Sequence, residues 1–306
     1  MMTKQGLTYK HILIPACLLM AACSGTKYLP EEEKLYTGAK IKTEAAEAMK
    51  GRKMKSAIRK VVRPEPNSSF LGMRPKLWLY MAVGEQPSTG MGRWLKKKGE
   101  PPVYMSEVRP AATAEIIDAA LFNRGFLNSY TETETEEKEN TARVVYRSFL
   151  HEQYRIGELT YAISDDSLRH IILGDSSQSL ISPGDPYSLN VLKGERSRIT
   201  AKLKNRGYYY FSPEYLLFSA DTSAEDRTVA LHMTLKDSIP ERALSVYHIN
   251  SVLIDQAYSL TAEGGGAVDT LNHRGYLFPG GPDDMMIRPE VILESVFLKR
   301  GDRYSR

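Results

Sequence analysis

Leu203-Lys204-Asn205-Arg206-Gly207-Tyr208 repeats a stretch met 82 residues earlier, Leu121-Phe122-Asn123-Arg124-Gly125-Phe126. In each copy a leucine stands one turn before the glycine of Asn-Arg-Gly, and an aromatic residue opens the next run. Upstream of the first copy, Pro110 suits a first helical turn, where its missing N–H is not needed, and Ile117 and Leu121 lie one turn apart on one face. Upstream of the second, Ser188 is placed to cap a helix whose Leu192, Ile199 and Leu203 form an apolar stripe opposite Arg196, Lys202 and Arg206. Gly125 and Gly207 then fall where a helix ends on a residue of positive φ, a conformation open to glycine because it has no Cβ.

Working outward from Gly207, residues 208–211 and 216–220 read as extended and 221–226 as a turn. Val229, Leu231, Met233 and Leu235 then alternate with polar or small residues, as in a strand with one buried face. The two runs predict a hairpin. The same plan follows Gly125, with 126–133, a charged turn around 137–140, and 142–150. A strand candidate opens each unit, at 35–42, 154–163 and 247–254, and a first helix follows at 43–62, about 165–174, and 288–297. A second motif marks the entrance to the second helix: Gly184-Asp185-Pro186-Tyr187-Ser188 returns as Gly301-Asp302-Arg303-Tyr304-Ser305. The third unit therefore stops where its second helix is due, as in a fragment or a truncated product. Asn272-His273-Arg274-Gly275-Tyr276 matches the helix stop in part, but it follows Gly264-Gly265-Gly266 and reads as a loop.

Strand, helix, helix, hairpin is the order of a small α+β domain whose two helices cover one face of a three-stranded sheet. The expected domains are 35–153, enlarged by an insertion at 63–104 that holds both tryptophans, then 154–238, then an incomplete third at 245–306.

Residues 1–22 read as a lipoprotein signal peptide. Lys4, Lys10 and His11 lie in a basic start, the apolar run 12–22 is too short to span a bilayer, and Ala21-Ala22 precede Cys23 as the cognate signal peptidase requires. Cys23 is the expected site of acylation; the alternative is an ordinary secretory signal in which this cysteine is incidental. Cys17, after Pro15 and Ala16, is the poorer candidate, and a mature chain from Cys23 keeps no second cysteine for a disulfide or a metal site. Residues 23–34, with Pro30 and three successive glutamates, read as a flexible tether.

The chain carries 41 Lys and Arg against 37 Asp and Glu, a net charge of +4 that hides an asymmetry. Residues 40–109 hold sixteen basic and six acidic side chains, so the remainder is net acidic. Export argues against nucleic acid as the partner of the basic stretch. Lys96, Lys97 and Lys98 beside Trp94 suit either a lipid surface or a solvated helix face.

Three stretches together resemble a known family: Cys23-Ser24-Gly25-Thr26-Lys27-Tyr28-Leu29-Pro30 running on to Leu35-Tyr36-Thr37-Gly38; Asn67-Ser68-Ser69-Phe70-Leu71-Gly72-Met73-Arg74-Pro75-Lys76-Leu77-Trp78-Leu79-Tyr80; and the Gly-Asp-x-Tyr-Ser entrances with their glycine-aromatic exits. They resemble the polypeptide-transport-associated (POTRA) domains of the BamA/TamA outer-membrane assembly superfamily, in particular its TamL-type lipoprotein branch in Bacteroidetes. The resemblance implies tandem POTRA domains in the periplasm, a lipid anchor at the outer membrane, outer-membrane protein clients, a TamB-like partner anchored in the inner membrane, and a C-terminal barrel. No alternating ten-residue strands of barrel type appear in this sequence.

The motifs of enzymes are missing: no nucleotide loop, no GxSxG elbow, no HExxH helix, and Gly90-Met91-Gly92 lacks a third glycine. His151, His170, His232, His248 and His273 are scattered, and no cofactor or metal is expected. Asp165-Asp166 and Asp283-Asp284 read as loop or capping pairs. Binding has a physical route, since an edge strand leaves amides and carbonyls to which an extended client can add itself. The expected edge is the strand of Val229, Leu231 and Met233, or its hairpin partner. Trp78, Tyr80 and Trp94 form a candidate docking patch for the TamB-like partner, or fill the core of the enlarged first domain. The alternative function is that of a lipid-anchored structural or cell-envelope interaction protein with no assembly role.

Overall fold

The computed structural model describes residues 28–44, 52–84, 87–256, 258, 269–281 and 285–306. Cys23, the signal peptide, the first residues of the tether (23–27) and Asp283-Asp284 lie outside the described residues. The chain divides into two compact units, 1–154 and 155–306.

In the first unit, β1 (Leu35–Glu44) is followed by α1 (Arg52–Arg59), α2 (Pro75–Ala82), α3 (Gly90–Lys98), α4 (Pro110–Phe122) and the hairpin β2 (Tyr130–Glu137) and β3 (Thr141–Phe149). In the second, β4 (Arg155–Ala162) leads to α5 (Asp166–Leu173), α6 (Leu189–Lys204) and the hairpin β5 (Leu216–Ser223) and β6 (Thr228–Leu235). A short α7 (Glu241–Leu244), the hairpin β7 (Thr270–His273) and β8 (Tyr276–Pro279), and α8 (Pro289–Leu293) complete the second unit. The class is α+β: each three-stranded sheet is mixed, with order β1-β3-β2 in one and β4-β6-β5 in the other. The leading strand pairs parallel to the last strand of the hairpin, Ala39 opposite Val144 and Ile156 opposite Val229. One face of each sheet is apolar and carries the helices. Tyr36, Ile58, Ile117, Leu121, Val144 and Tyr146 form the first core; Leu168, Ile172, Ile199, Leu203, Leu216 and Met233 form the second.

The two helix stops superimpose bond for bond. Leu121 O accepts from the N–H of Arg124 at 2.9 Å and of Phe126 at 3.1 Å; Leu203 O accepts from Arg206 at 2.9 Å and Tyr208 at 3.1 Å. Gly125 and Gly207 stand at φ +88° and +95°, as expected from the sequence. Pro110 sits in the first turn of α4, and Asp165 caps α5 by accepting from Leu168 N–H at 2.8 Å. Ser188 precedes α6 but its side chain makes no capping bond.

The entrance motif has a role the sequence did not disclose. Ile156 N–H donates to Asp185 O at 2.8 Å and Gly184 N–H to Ile156 O at 2.7 Å; Ile249 N–H likewise donates to Asp302 O, and Gly301 N–H to Ile249 O, both at 2.8 Å. The segment before the second helix thus clips the first residues of the leading strand. In the first unit Tyr36 N–H donates to Val103 O at 2.8 Å in the corresponding place.

Several expectations are corrected. The strand of Val229, Leu231 and Met233 is β6, the middle of its sheet, bonded on both sides and buried, so it is no edge. Residues 208–211 turn instead of extending, with Phe211 N–H donating to Tyr208 O at 3.1 Å. β1 runs on to Glu44, beyond the expected start of the first helix. The expected third leading strand at 247–254 is limited to bridges, His248 with Arg303 and Leu253 with Leu277, and its helix to Pro289–Leu293. The stretch around Gly275 is the turn of the β7–β8 hairpin, with positive φ at both Arg274 and Gly275, the geometry that matches strand twist in a two-residue loop.

Residues after α7 pack against the second helix stop. Gly207 O accepts from Tyr247 N–H at 2.8 Å, and an ideal Cβ on Gly207 lies 2.6 Å from Val246 Cγ1 and 3.0 Å from Arg303 Cγ. Around it, Tyr209 meets Tyr304 and Tyr210 edge-on at 4.7 and 4.8 Å, and Tyr210 meets Tyr247 at 5.2 Å. Edge-on aromatic pairs are worth about 0.5–1.5 kcal/mol each beyond their burial. Gly207→Ala meets both a disfavoured φ and the Val246 clash, so amide exchange at Tyr247 is expected to rise at least tenfold while β6 amides stay protected; unchanged exchange at Tyr247 sinks this account.

Burial, reinforced by the neighbouring Tyr146, pushes the Tyr36 hydroxyl up to about 12, and this hydroxyl has no hydrogen-bond partner among the described residues. A raised folded value favours the neutral phenol. Its contribution is therefore complete below the ordinary tyrosine pKa near 10 and is lost as pH rises from there towards 12. Denaturant melts of Tyr36→Phe are expected to show stability at neutral pH equal to or up to about 1 kcal/mol above that of the parent, and a weaker loss between pH 10 and 12. A parallel alkaline loss in both proteins contradicts the assignment.

Candidate functional site

A three-stranded sheet has two edges, so the two sheets present four. They are not equivalent. At β1, Tyr36 N–H donates to Val103 O and Leu35 bridges Tyr104, so the chain itself occupies the start of that edge. At β4, Arg155 bridges Pro186 and Ile156 is clipped by Asp185, which occupies the start of the strand. β2, Tyr-Thr-Glu-Thr-Glu-Thr-Glu-Glu, is guarded by charge. Glu136 is bonded to Arg143, Glu134 lies 3.8 Å from Arg147, and Glu137 is paired with Lys34. The Arg143 hydrogen bond, aided by Lys40 and Lys42, holds the Glu136 carboxyl below its usual range.

Among the described residues β5 is the edge with neither a bridging segment nor a run of charge. Its eight residues, Leu-Leu-Phe-Ser-Ala-Asp-Thr-Ser, contain one charged side chain, and among the described residues it pairs with β6 alone. Leu217 is 41% exposed on the outer face. Sequence reasoning named β5 only as the partner of the expected edge. A signal was present: past Phe218 the core-side positions are Ala220 and Thr222, too little apolar surface for a strand flanked on both sides.

The helix under this sheet is tied by charge to the segment before it. Glu195 on α6 is fully buried, and its carboxylate accepts from Arg198 at 2.8 and 2.9 Å and from Leu180 N–H at 2.9 Å. Burial alone raises this carboxyl, but Arg198 and the amide outweigh it and hold it below its ordinary value. Arg198 also reaches Asp175 at 2.5 Å, and Lys202 reaches Asp175 at 3.0 Å. Every charge in the cluster is answered, which marks a structural tie between α6 and the segment before it.

The tryptophan-rich insertion folds as α2 packed on α3. Trp78 and Tyr80 on α2 are half-buried, and Lys96 Nζ lies 4.8 Å from the Tyr80 ring centroid. Tyr80 lines a cleft with Tyr28, Pro30, Pro102 and Tyr104, while Trp94 stands exposed on α3. The expected patch is thus dispersed: Tyr80 lines the cleft, Trp94 stands on an exposed helix face, and Trp78 is half-buried on α2 outside both. His232 sits between Thr160, 2.5 Å from Nδ1, and Asp221, 3.4 Å from Nε2, on the open face of the second sheet. Among the described residues no group of three or more His, Cys, Asp or Glu side chains could hold a metal ion, and no helix is long and apolar enough to cross a membrane.

No family model matches the sequence, and no curated protein is significantly similar to it. Among solved structures the chain is similar to POTRA domains 3–5 of BamA from Haemophilus influenzae, at 10% identity and a TM-score of 0.39, over 90% of this chain and 83% of that one. It is similar to POTRA domains 1–2 of Omp85 from Anabaena, at 12% identity and a TM-score of 0.32, over 69% of this chain and 100% of that one. A third is the N-terminal domain of Omp85 from Thermosynechococcus elongatus, at 12% identity and a TM-score of 0.31, over 89% of this chain and 80% of that one. At these values the architecture rests on the topology of the two units.

Proposed function

We propose that this chain is the periplasmic arm of an outer-membrane protein translocation or assembly factor, built of POTRA-type domains and docking client strands and partner proteins without catalysis. The reading is supported by the strand-helix-helix-hairpin order of the second unit, which the first follows around its α2–α3 insertion, by the sequence resemblance, and above all by the unbridged, nearly uncharged edge at β5. A client bound for a barrel arrives as alternating strands. Backbone pairing with β5 accepts many sequences, and alternate client side chains meet the face of Leu217 and Ser219.

The magnitude suits a transient role. Three or four new backbone bonds at about 1 kcal/mol each give roughly 3–4 kcal/mol, near the millimolar range before ordering costs. Such an edge guides a client and releases it. In this proposal Cys23 carries the acyl anchor, and the TamB-like partner meets the cleft beside Tyr80.

Only every second N–H of an edge strand faces outward. Proline placed singly at Leu217, Phe218, Ser219, Ala220 and Asp221 is therefore expected to give an alternating pattern of client crosslinking. Outward positions lose crosslinks at least fivefold with the melting temperature kept; inward positions break the β6 ladder and melt earlier. Crosslinking that ignores the alternation, or survives at all five positions, rules out β5 as the docking edge.

A further inference from the structure

The exposed face of α3 differs from an ordinary solvated helix face. Thr89 caps the helix by accepting from Gly92 N–H at 3.1 Å, Gly92 is buried, and Lys96 turns inward, donating to Gly84 O at 3.0 Å. What remains outside is Met91, 75% exposed, Trp94, 58% exposed, and the cations Arg93, Lys97 and Lys98. Met91, Trp94 and Lys98 fall on one face at spacings of three and four, with Arg93 and Lys97 beside them. The helix contains no acidic residue, and no ion pair joins Arg93, Lys97 or Lys98 to an acid among the described residues. Glu100, just beyond the helix, is already bonded to Ser68 and to Lys76 at 3.0 Å.

A second exposed apolar feature belongs to the same insertion. Phe70 and Met73 bridge across a tight turn whose tip is Leu71 at φ +51° and Gly72 at φ +80°. Phe70 is 67% and Leu71 79% exposed. A bulky leucine in the left-handed region is disfavoured, so the turn holds an apolar side chain in solvent at a conformational cost.

We propose that the insertion docks on a lipid bilayer bearing anionic headgroups, with α3 lying in the interfacial plane. Trp94 and Met91 enter the headgroup boundary, and Arg93, Lys97 and Lys98 meet lipid phosphates. The chemistry favours lipid over an acidic protein. An indole and a thioether flanked only by long basic side chains match an interface that is apolar below and anionic above, where lysine stems reach upward. At nine residues, roughly 14 Å, the helix can lie on a bilayer and cannot cross one. The inference is independent of β5 and of acylation.

The test uses the full chain with Cys23→Ser, so that no acyl group contributes, in co-sedimentation with vesicles of phosphatidylcholine containing about 30% phosphatidylglycerol. Binding at least tenfold tighter than to pure phosphatidylcholine is expected. Lys97→Gln with Lys98→Gln should weaken it roughly thirtyfold, at about fivefold per lysine near an anionic surface. Trp94→Ala should weaken it about tenfold. These side chains are exposed, so thermal melts should not move. In a Trp78→Phe background Trp94 is the only indole, and its emission should shift to the blue on anionic vesicles. Equal binding to neutral vesicles, binding indifferent to the lysine pair, or a Trp94 variant that loses a protein partner with vesicle binding intact each overturns the proposal.

Discussion

Both sheets depend on a parallel pairing between residues far apart in the chain. β1 meets β3 and β4 meets β6 side by side. A parallel pair cannot be closed by a tight turn, so the chain must leave the sheet, cross one face and return. Helices occupy that crossing, α1 to α4 in the first unit and α5 and α6 in the second, and the apolar sides of α1, α4, α5 and α6 are buried by the face they cross. The returning chain must also reverse within a few residues, and the glycine stops accomplish this: one leucine carbonyl takes two N–H groups as the backbone passes through positive φ. Loss of the parallel pairing would leave a hairpin of two strands, too small to hold a core alone.

The same pairing decides what is available for binding. The last strand of each hairpin becomes the middle strand, and the leading strand and the first hairpin strand become the edges. One edge of each sheet is then crowded or clipped by its own chain. The remaining two differ in charge, glutamate-lined at β2 and nearly neutral at β5. Charge on an edge discourages chance pairing, so the contrast separates a guarded edge from a receptive one within a single chain.

Much of this was legible beforehand. The recurrence of Leu-x-Asn-Arg-Gly-aromatic located both helix ends, because few residues other than glycine accept that φ. The alternation from Val229 to Leu235 identified a strand with one buried face. The Gly-Asp-x-Tyr-Ser motif located the helix entrance but gave no hint that its backbone clips Ile156 and Ile249. The third leading strand was overestimated, since 247–254 is held by isolated bridges and tyrosine packing with little ladder to support it.

By itself the sequence determined the order of elements, the turns and the apolar face of each strand, all of which follow from neighbours within a few residues. Only the tertiary structure decided that Val229, Leu231 and Met233 lie in the middle of their sheet, that β5 is the unbridged edge, and that Trp94 faces outward while Tyr80 is covered by Lys96. Periodicity reports which side of a strand or helix is buried. Which strand lies beside it, and what covers a given ring, depends on contacts between distant segments, and no local pattern encodes them.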